Sequence, residues 1–477
     1  MINRDLECYI KDKISFSLTS EQSEVLHLLV DFLLGAESNS LFLLKGYAGT
    51  GKTTLIGTVI RALQDFKQKV VLLAPTGRAA KVFSKASGCA AYTIHRRIYR
   101  QKAFDGTMDG FSLNVNLYQN AVFFVDEASM ISNAESGEGA SFGTGHLLDD
   151  LMRFVYSGKG CRLVLIGDDA QLPPVGVLDS PALSVPHLEG YGLTVVPARL
   201  TGVHRQMSES GILWNASALR RFLFSEGESA LPQLRVSGFP DIVSISGETL
   251  IEELEQAYYQ CGIEETIVVT RSNKRANIYN QGIRGRILGR EELLTSGDRL
   301  LVAKNNYFWV DEDTRKTSGL DFIANGDVAT VRKVRHQRNI YGFDFADVFL
   351  EFPDYGQIEL EATVILNTLT SEAAALTRTE SDHLFHSVWE DYPEVTNKKE
   401  RLKKIKSDQL FNALQVKFAY AMTCHKAQGG QWERVFIDQG YVGEDQSVEE
   451  YTRWLYTALT RARERVYLVN WPKSQLQ

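Results

Sequence analysis

The stretch Leu41-Phe42-Leu43-Leu44-Lys45-Gly46-Tyr47-Ala48-Gly49-Thr50-Gly51-Lys52-Thr53-Thr54 decides the fold. Its apolar start, 41–45, reads as a buried strand. The strand runs into G-x-x-x-x-G-K-[ST], and a helix is expected directly after it, which is the context this motif requires. The glycines let backbone N–H groups turn inward around phosphate oxygens, and the helix N-terminus adds partial positive charge. Lys52 is expected to reach the β- and γ-phosphates of a nucleotide, and Thr53 to ligate Mg²⁺. Gly46, Ala48, Gly49, Thr50, Gly51 and Thr54 complete the cradle.

Working outward, residues 70–75, 121–126 and 162–167 are further continuously apolar runs, with helical periods between most of them. Such strands imply a parallel sheet covered by helices on both faces. The run at 121–126 ends in Asp126-Glu127. A phosphoryl-transfer site needs a carboxylate for the metal and a group that orients water. Asp126 is expected to take the first role and Glu127 the second.

The same pattern returns late in the chain. Residues 266–270, 416–422, 434–438 and 465–469 read as strands, with helices at 273–288 and 449–461. A second α/β lobe is therefore expected. Between 294 and about 393 the runs 299–304, 327–334, 347–352 and 358–366 have little helix between them, which points to a small β-barrel inserted into that lobe. A polar helical segment, 397–410, leads back; its lysine-rich run 398–406 reads as a solvated face. Residues 101–116 carry Asp105-Gly106 and Asp109-Gly110, which is hairpin grammar. The Gly- and Ser-rich stretch 133–145 reads as a surface loop.

Composition sets the outer limits. Of 477 residues, 44% are hydrophobic and 23% charged, close to the globular average, so ordinary cores suffice. Apolar stretches such as 25–34 are broken by His27 and Asp31 long before the ~20 residues a membrane span needs. The first 13 residues lack signal-peptide order. The net charge of −7 argues against bulk nucleic-acid condensation and still permits a local basic track. Five scattered cysteines without a C-x-x-C pair point to reduced thiols and a cytoplasmic setting.

The ordered motifs resemble superfamily 1 helicases of the 1B branch, RecD-like and phage Dda-like, over nearly the whole chain. Leu18-Thr19-Ser20-Glu21-Gln22 resembles the Q motif, and Ala74 to Lys81, Ala-Pro-Thr-Gly-Arg-Ala-Ala-Lys, resembles motif Ia, followed by Thr93-Ile94-His95. Asp126-Glu127-Ala128-Ser129 is similar to motif II, and the run from Leu165 through Gln171 to Val175 to motif III. Leu200 to Gln206, Thr423 to Gly429 and Leu455 to Arg463 are similar to motifs IV, V and VI. The resemblance implies two RecA-like lobes, a β-hairpin insertion in the first and a Src-homology-3-like barrel inserted in the second. The expected division is 1–198 for lobe one (hairpin at about 97–118), 199–293 plus 412–477 for lobe two, and 294–411 for the barrel with its helical return.

The resemblance also assigns roles. Gln22 would read adenine. Gln171 would join Lys52 and Glu127 in catalysis of ATP hydrolysis. Arg205 and Arg461 would reach the γ-phosphate from the second lobe. Pro75, Thr76, Lys81, His95, Thr423, His425 and Lys426 would face single-stranded DNA. For His95 and His425 a packed or capping histidine stays open, as does a core position for Phe83, the candidate stacking ring. The hairpin, with Phe104 or Phe111 as wedge, is either a strand-separating pin or a plain surface hairpin. Arg463 and Arg465 are read as structural. The expected activity is ATP- and Mg²⁺-dependent 5′→3′ DNA unwinding by a monomer acting on single strands and junctions, with no membrane partner. An RNA or protein-displacing motor, or a nucleotide-binding subunit of a recombination complex, is the rival reading.

Overall fold

Alternate residues of the strand Ser40–Gly46 enter different cores. Leu41 and Leu43 pack with Leu73, Phe123, Leu163 and Leu165, while Phe42 and Leu44 pack with Leu72, Phe124, Val164 and Ile166. Both faces are apolar because helices cover both. Lys52–Asp65 and Ser20–Leu34 cover one side, and Leu147–Ser157 covers the other. Each buried Leu, Ile, Val or Phe contributes roughly 1.5–3 kcal/mol. These cores do the work that no disulfide does, since all five cysteines are free thiols.

This computed structural model describes residues 2–37, 39–101, 111–133, 143–202, 209–225, 230–311, 314, 320, 322–443 and 446–477. The first sheet has six parallel strands in the order Ala91–Thr93, Val70–Ala74, Val122–Val125, Arg162–Gly167, Ser40–Gly46 and Thr194–Leu200. The second has five, again parallel: Ala421–Thr423, Thr266–Thr270, Trp432–Asp438, Ala462–Val469 and Ile242–Ile245. These are the two RecA-like lobes. No described helix is long and apolar enough to cross a membrane.

Between the strands of the second lobe, Arg299–Val302, Val328–Ile340, Phe343–Phe352, Ile358–Ile365 and Leu414–Phe418 close into a barrel. Its interior is continuous with one face of the second sheet: Leu300, Val348, Leu350 and Phe418 share a core with Val268, Phe436 and Tyr467. The barrel is therefore fixed to its lobe by packing. An outer helix pair, Arg378–Glu390 and Lys398–Lys406, packs Leu384, Val388 and Ile405 against Phe343 and Phe345. In the first lobe, Tyr99–Gln101 pairs antiparallel with Phe111–Leu113, the base of the expected hairpin insertion. Residues 102–110, Phe104 among them, and 134–142 lie outside the described residues.

Three details differ from the sequence reading. The run 416–422 is two strands, one closing the barrel and one edging the second sheet. The break is made by Asn280, whose Nδ2 donates to Ala421 O (2.9 Å) and whose Oδ1 accepts from Ala421 N (2.8 Å) and Tyr420 N (3.1 Å). The barrel consequently runs past 411 to Phe418. The strand Thr194–Leu200 crosses the expected boundary at 198 and belongs wholly to the first sheet.

Candidate functional site

The loop after Ser40–Gly46 must turn sharply, and Gly49 (φ 78°) and Gly51 (φ 82°) supply left-handed backbone. A Cβ on Gly46 would lie 2.8 Å from the Lys52 side chain, so glycine there leaves room for the lysine. The Lys52 ammonium donates to the carbonyl of Gly46 and, at 2.8 Å, to that of Tyr47. It thus sits inside the mouth of the loop. Gln22 closes the capping box of its helix with Thr19 and donates from Nε2 to Thr50 O at 2.9 Å. With Thr19, Gly49, Thr50, Gly51 and Thr54 it lines a cavity of about 220 Å³ beside the loop. Thr53 follows Lys52 in the first turn of the helix.

Asp126 stands at the end of Val122–Val125, only 8% exposed. Burial first, and the neighbouring Glu127 second, push its carboxyl up to about 7. Glu127 has φ 53°, a left-handed conformation that costs a non-glycine residue roughly 1–3 kcal/mol. Gln171 is 6% exposed, and its Oε1 has no hydrogen-bond partner among the described residues. An acceptor held dry and unpaired is costly unless a donor arrives.

The second lobe touches this loop directly. Tyr456, on the helix Val448–Leu459, accepts from Ala48 N–H at 2.9 Å and donates to Asp168 Oδ2 at 2.6 Å. Burial pushes the Asp168 carboxyl up, while Lys52 and Tyr456 favour its anion. Beside it, Leu172 N donates to Thr457 Oγ1 (2.9 Å), Gln428 Nε2 to Leu172 O (2.8 Å), and Arg453 to Asp169 O. Motif III is clasped from motifs V and VI. Arg461 is 3% exposed and bonds within its own lobe: Nε to Thr457 O (2.9 Å), Nη1 to Gly430 O (3.3 Å) and Nη2 to Thr460 Oγ1 (3.2 Å). Arg205 lies outside the described residues. The backbone leading to it is anchored by Glu21, which accepts from Thr201 N (2.7 Å) and Gly202 N (2.8 Å).

A second cavity, about 580 Å³, opens on the other side of the seam. Pro75, Thr76 and His95 line it from the first lobe, and His425 and Lys426 from the second. The barrel supplies a third wall with Lys304, Asn305, Tyr307, Phe322 and Asn325. Lys426 Nζ donates to Asn325 Oδ1 at 2.5 Å. Burial pushes the His95 imidazole down to about 4 and also lowers that of His425. The barrel reaches the first lobe at motif Ia, where a Cβ on Gly77 would meet Asp327 Oδ1 at 2.7 Å. Lys81 is drawn into this contact, 2.5 Å from Asp354, and does not line the cavity. Thr423 holds the N-cap position of the short helix Cys424–Ala427 without a side-chain capping bond and is not part of the lining either. Phe83 is fully buried in the first-lobe core, so it is no stacking platform. Arg463 pairs with Glu265 at 2.5 Å, a structural role.

The sequence reading quoted Tyr456 and Arg78 within motifs and gave neither a role. Trp432 and the barrel residues it missed altogether. One signal was available: Gly429-Gly430 at the end of motif V marks a close approach of backbone to another element. A Cβ on Gly429 would sit 2.8 Å from Ala79 Cβ, and one on Gly430 2.5 Å from the Trp432 ring.

Comparison with known proteins agrees with this arrangement. Residues 17–222 match the family described as AAA domain, and 418–469 the UvrD-like helicase C-terminal domain. Uncharacterized protein R530 of Acanthamoeba polyphaga mimivirus is 21% identical over 94% of this chain and 98% of its own. The ATP-dependent RecD2 DNA helicase of Deinococcus radiodurans is 24% identical over 96% of this chain, which spans 50% of that protein's length. Among solved structures, Pif1 helicase from Bacteroides with ADP-AlF3 and single-stranded DNA has a TM-score of 0.47 at 14% identity, covering 97% of this chain and 95% of that one. The two family matches fall in order on the two lobes, the RecD2 likeness runs through both, and the chain is similar throughout to the RecD-like superfamily 1B helicases.

Proposed function

We propose that this chain is an ATP-dependent DNA helicase that moves 5′→3′ along single-stranded DNA and separates duplex ahead of it. One observation carries the reading. The same seam presents a phosphate-binding loop with its carboxylates on one side and a three-walled cleft on the other. A motor needs that coupling: nucleotide-driven closure of the lobes must alter a grip on a polymer. The 5′→3′ direction rests on the family resemblance alone.

In this reading Lys52 and the inward N–H groups hold the β- and γ-phosphates of ATP. Glu127 and Gln171 orient the attacking water, and Gln22 faces the adenine. Arg461 and Arg205 stabilise transition-state charge from the second lobe. Thr53 and Asp126 fit a magnesium ion: the buried Asp126 carboxyl, disfavoured as a lone anion beside Glu127, is the kind of group a cation would hold ionised. When bound, the ion neutralises charge on the phosphates. The working units are lobe one to Leu200, lobe two, and a barrel that walls the strand, acting as a monomer on single strands and junctions.

Strand displacement on duplexes with 5′ or 3′ tails, in DNA and in RNA, tests the reading. Unwinding only of 5′-tailed DNA, lost with Lys52→Ala, is expected. Equal action on RNA would favour the RNA motor. No turnover stimulated by single strands would leave a nucleotide-binding subunit.

A further inference from the structure

Arg78 is a guanidinium whose donors meet no acceptor among the described residues. It belongs to motif Ia in the first lobe, lines the 580 Å³ cleft, and lies 3.8 Å from the centroid of the Trp432 ring on the second lobe. It makes no hydrogen bond or ion pair with any described residue. Arg planes stack on aromatic faces and keep their edge N–H donors free, aligned for a bidentate acceptor. Gly430 permits the stack, since a Cβ there would lie 2.9 Å from Arg78 Cδ and 2.5 Å from the Trp432 ring. Asp354 of the barrel wall, whose charge also favours the Arg78 cation, is held by Lys81 at 2.5 Å. Opposite, Lys304 also lines the cleft and likewise has no hydrogen bond or ion pair among the described residues.

Burial lowers the Arg78 guanidinium to about 10, so it stays charged at neutral pH. A half-buried cation whose donors no described residue uses, facing a polar cleft, suits an anion that brings several acceptor oxygens.

We infer that Arg78, seated over Trp432, is the guanidinium that clamps a phosphodiester of the bound strand, on the motif in which the resemblance sets Lys81 facing that strand. This deepens the proposed function and rests on it. Because the arginine comes from one lobe and its platform from the other, the clamp is complete only with the lobes closed. Opening removes the platform, frees the side chain's rotamers and weakens the grip.

The test is the affinity of the full chain for oligo(dT), measured by fluorescence anisotropy as a function of salt. For single strands, log K falls with log salt at about −0.7 per phosphate neutralised. Arg78→Gln is expected to lose roughly 10- to 100-fold in affinity, as removal of a charge-assisted hydrogen bond does, and to flatten the slope by about 0.7. Lys81→Gln should keep the wild-type slope. Arg78→Lys keeps the charge and loses the fork, so its slope should stay while affinity drops about tenfold; this variant decides the matter should Arg78→Gln not fold. A purely structural Arg78 would lower the melting temperature without touching the slope, and that result overturns the inference. So would a slope change in Lys81→Gln and none in Arg78→Gln. Wild-type chain that fails to bind oligo(dT) at all would sink the functional reading itself, and the inference with it.

Discussion

The two sides of the seam differ in how their residues are gathered. On the nucleotide side three groups lie within a few positions of a strand end: Lys52 after Ser40–Gly46, Asp126 after Val122–Val125, Gln171 after Arg162–Gly167. Parallel strands put those ends along one edge, so a spacing in sequence becomes a site in space. The cleft side draws on residues 75–95, 301–328 and 422–432, brought together only when a barrel closes and docks on motif Ia. Arg78 and Lys81 are three residues apart on one helix, and the barrel separates their fates. It neutralises Lys81 with Asp354 and leaves Arg78 without an ion pair among the described residues. A motif fixes which loop faces a ligand; the neighbouring unit decides which side chain in it is left to act.

The largest effect is expected where the two sides meet. Arg461 is buried in its own lobe and bonds to Gly430, which also borders Arg78. Arginine fingers contribute roughly 10³–10⁵ in rate. Arg461→Ala should therefore slow single-strand-stimulated turnover by about that factor while the Kd for a non-hydrolysable ATP analogue changes little. Arg461→Lys, which preserves charge, checks that the fold survives. Equal losses in turnover and binding would assign Arg461 to ground-state contact and break the assigned division of labour.

The same contrast explains what the sequence made legible. Runs at 41–45, 70–75, 121–126 and 162–167 are continuously apolar because their strands are covered on both faces, and each is a strand within a residue or two. Thr194–Leu200 was missed because it is an edge strand: Pro197 and Arg199 break its pattern, and an edge tolerates both. The break at Ala419-Tyr420 carries no glycine or proline. It is imposed by Asn280, 140 positions away, and no local rule could find it. At the site, the positions of Lys52, Asp126 and Gln171 after their strands were legible from spacing. The cleft positions of Arg78, Lys304 and Trp432 were not, because they depend on how the second lobe and the barrel dock against motif Ia.

Tyr456 offers a smaller and sharper probe of the seam. Its hydroxyl serves one lobe-one donor and one lobe-one acceptor at once, Ala48 N–H and Asp168 Oδ2. Burial and Asp168 keep the phenol protonated. Tyr456→Phe leaves both partners dry, and a buried group so stranded costs about 1–3 kcal/mol. A five- to hundredfold fall in stimulated turnover is expected if that cost falls on the closed state, with the ATP KM moving far less. Combined with Asp168→Asn, the double-mutant cycle should show coupling of about 0.5–3 kcal/mol. Additive losses would mean that the contact is incidental to closure.

The smallest effect separates His95 from the charged residues of the cleft. It lines the same cavity as Arg78, yet burial holds its imidazole near 4, below the unfolded value of about 6.5. At pH 7 it is neutral in both states and releases no counterion from a bound strand. Between about 6.5 and 4 the unfolded chain binds a proton that the folded chain refuses, so stability is complete above this window and declines as pH falls through it. His95→Gln should therefore flatten the fall in melting temperature between pH 6.5 and 5 and leave the salt slope of oligo(dT) binding at pH 7 unchanged. A slope that drops on substitution would put a charged imidazole against phosphate and make His95, like Arg78, part of the grip.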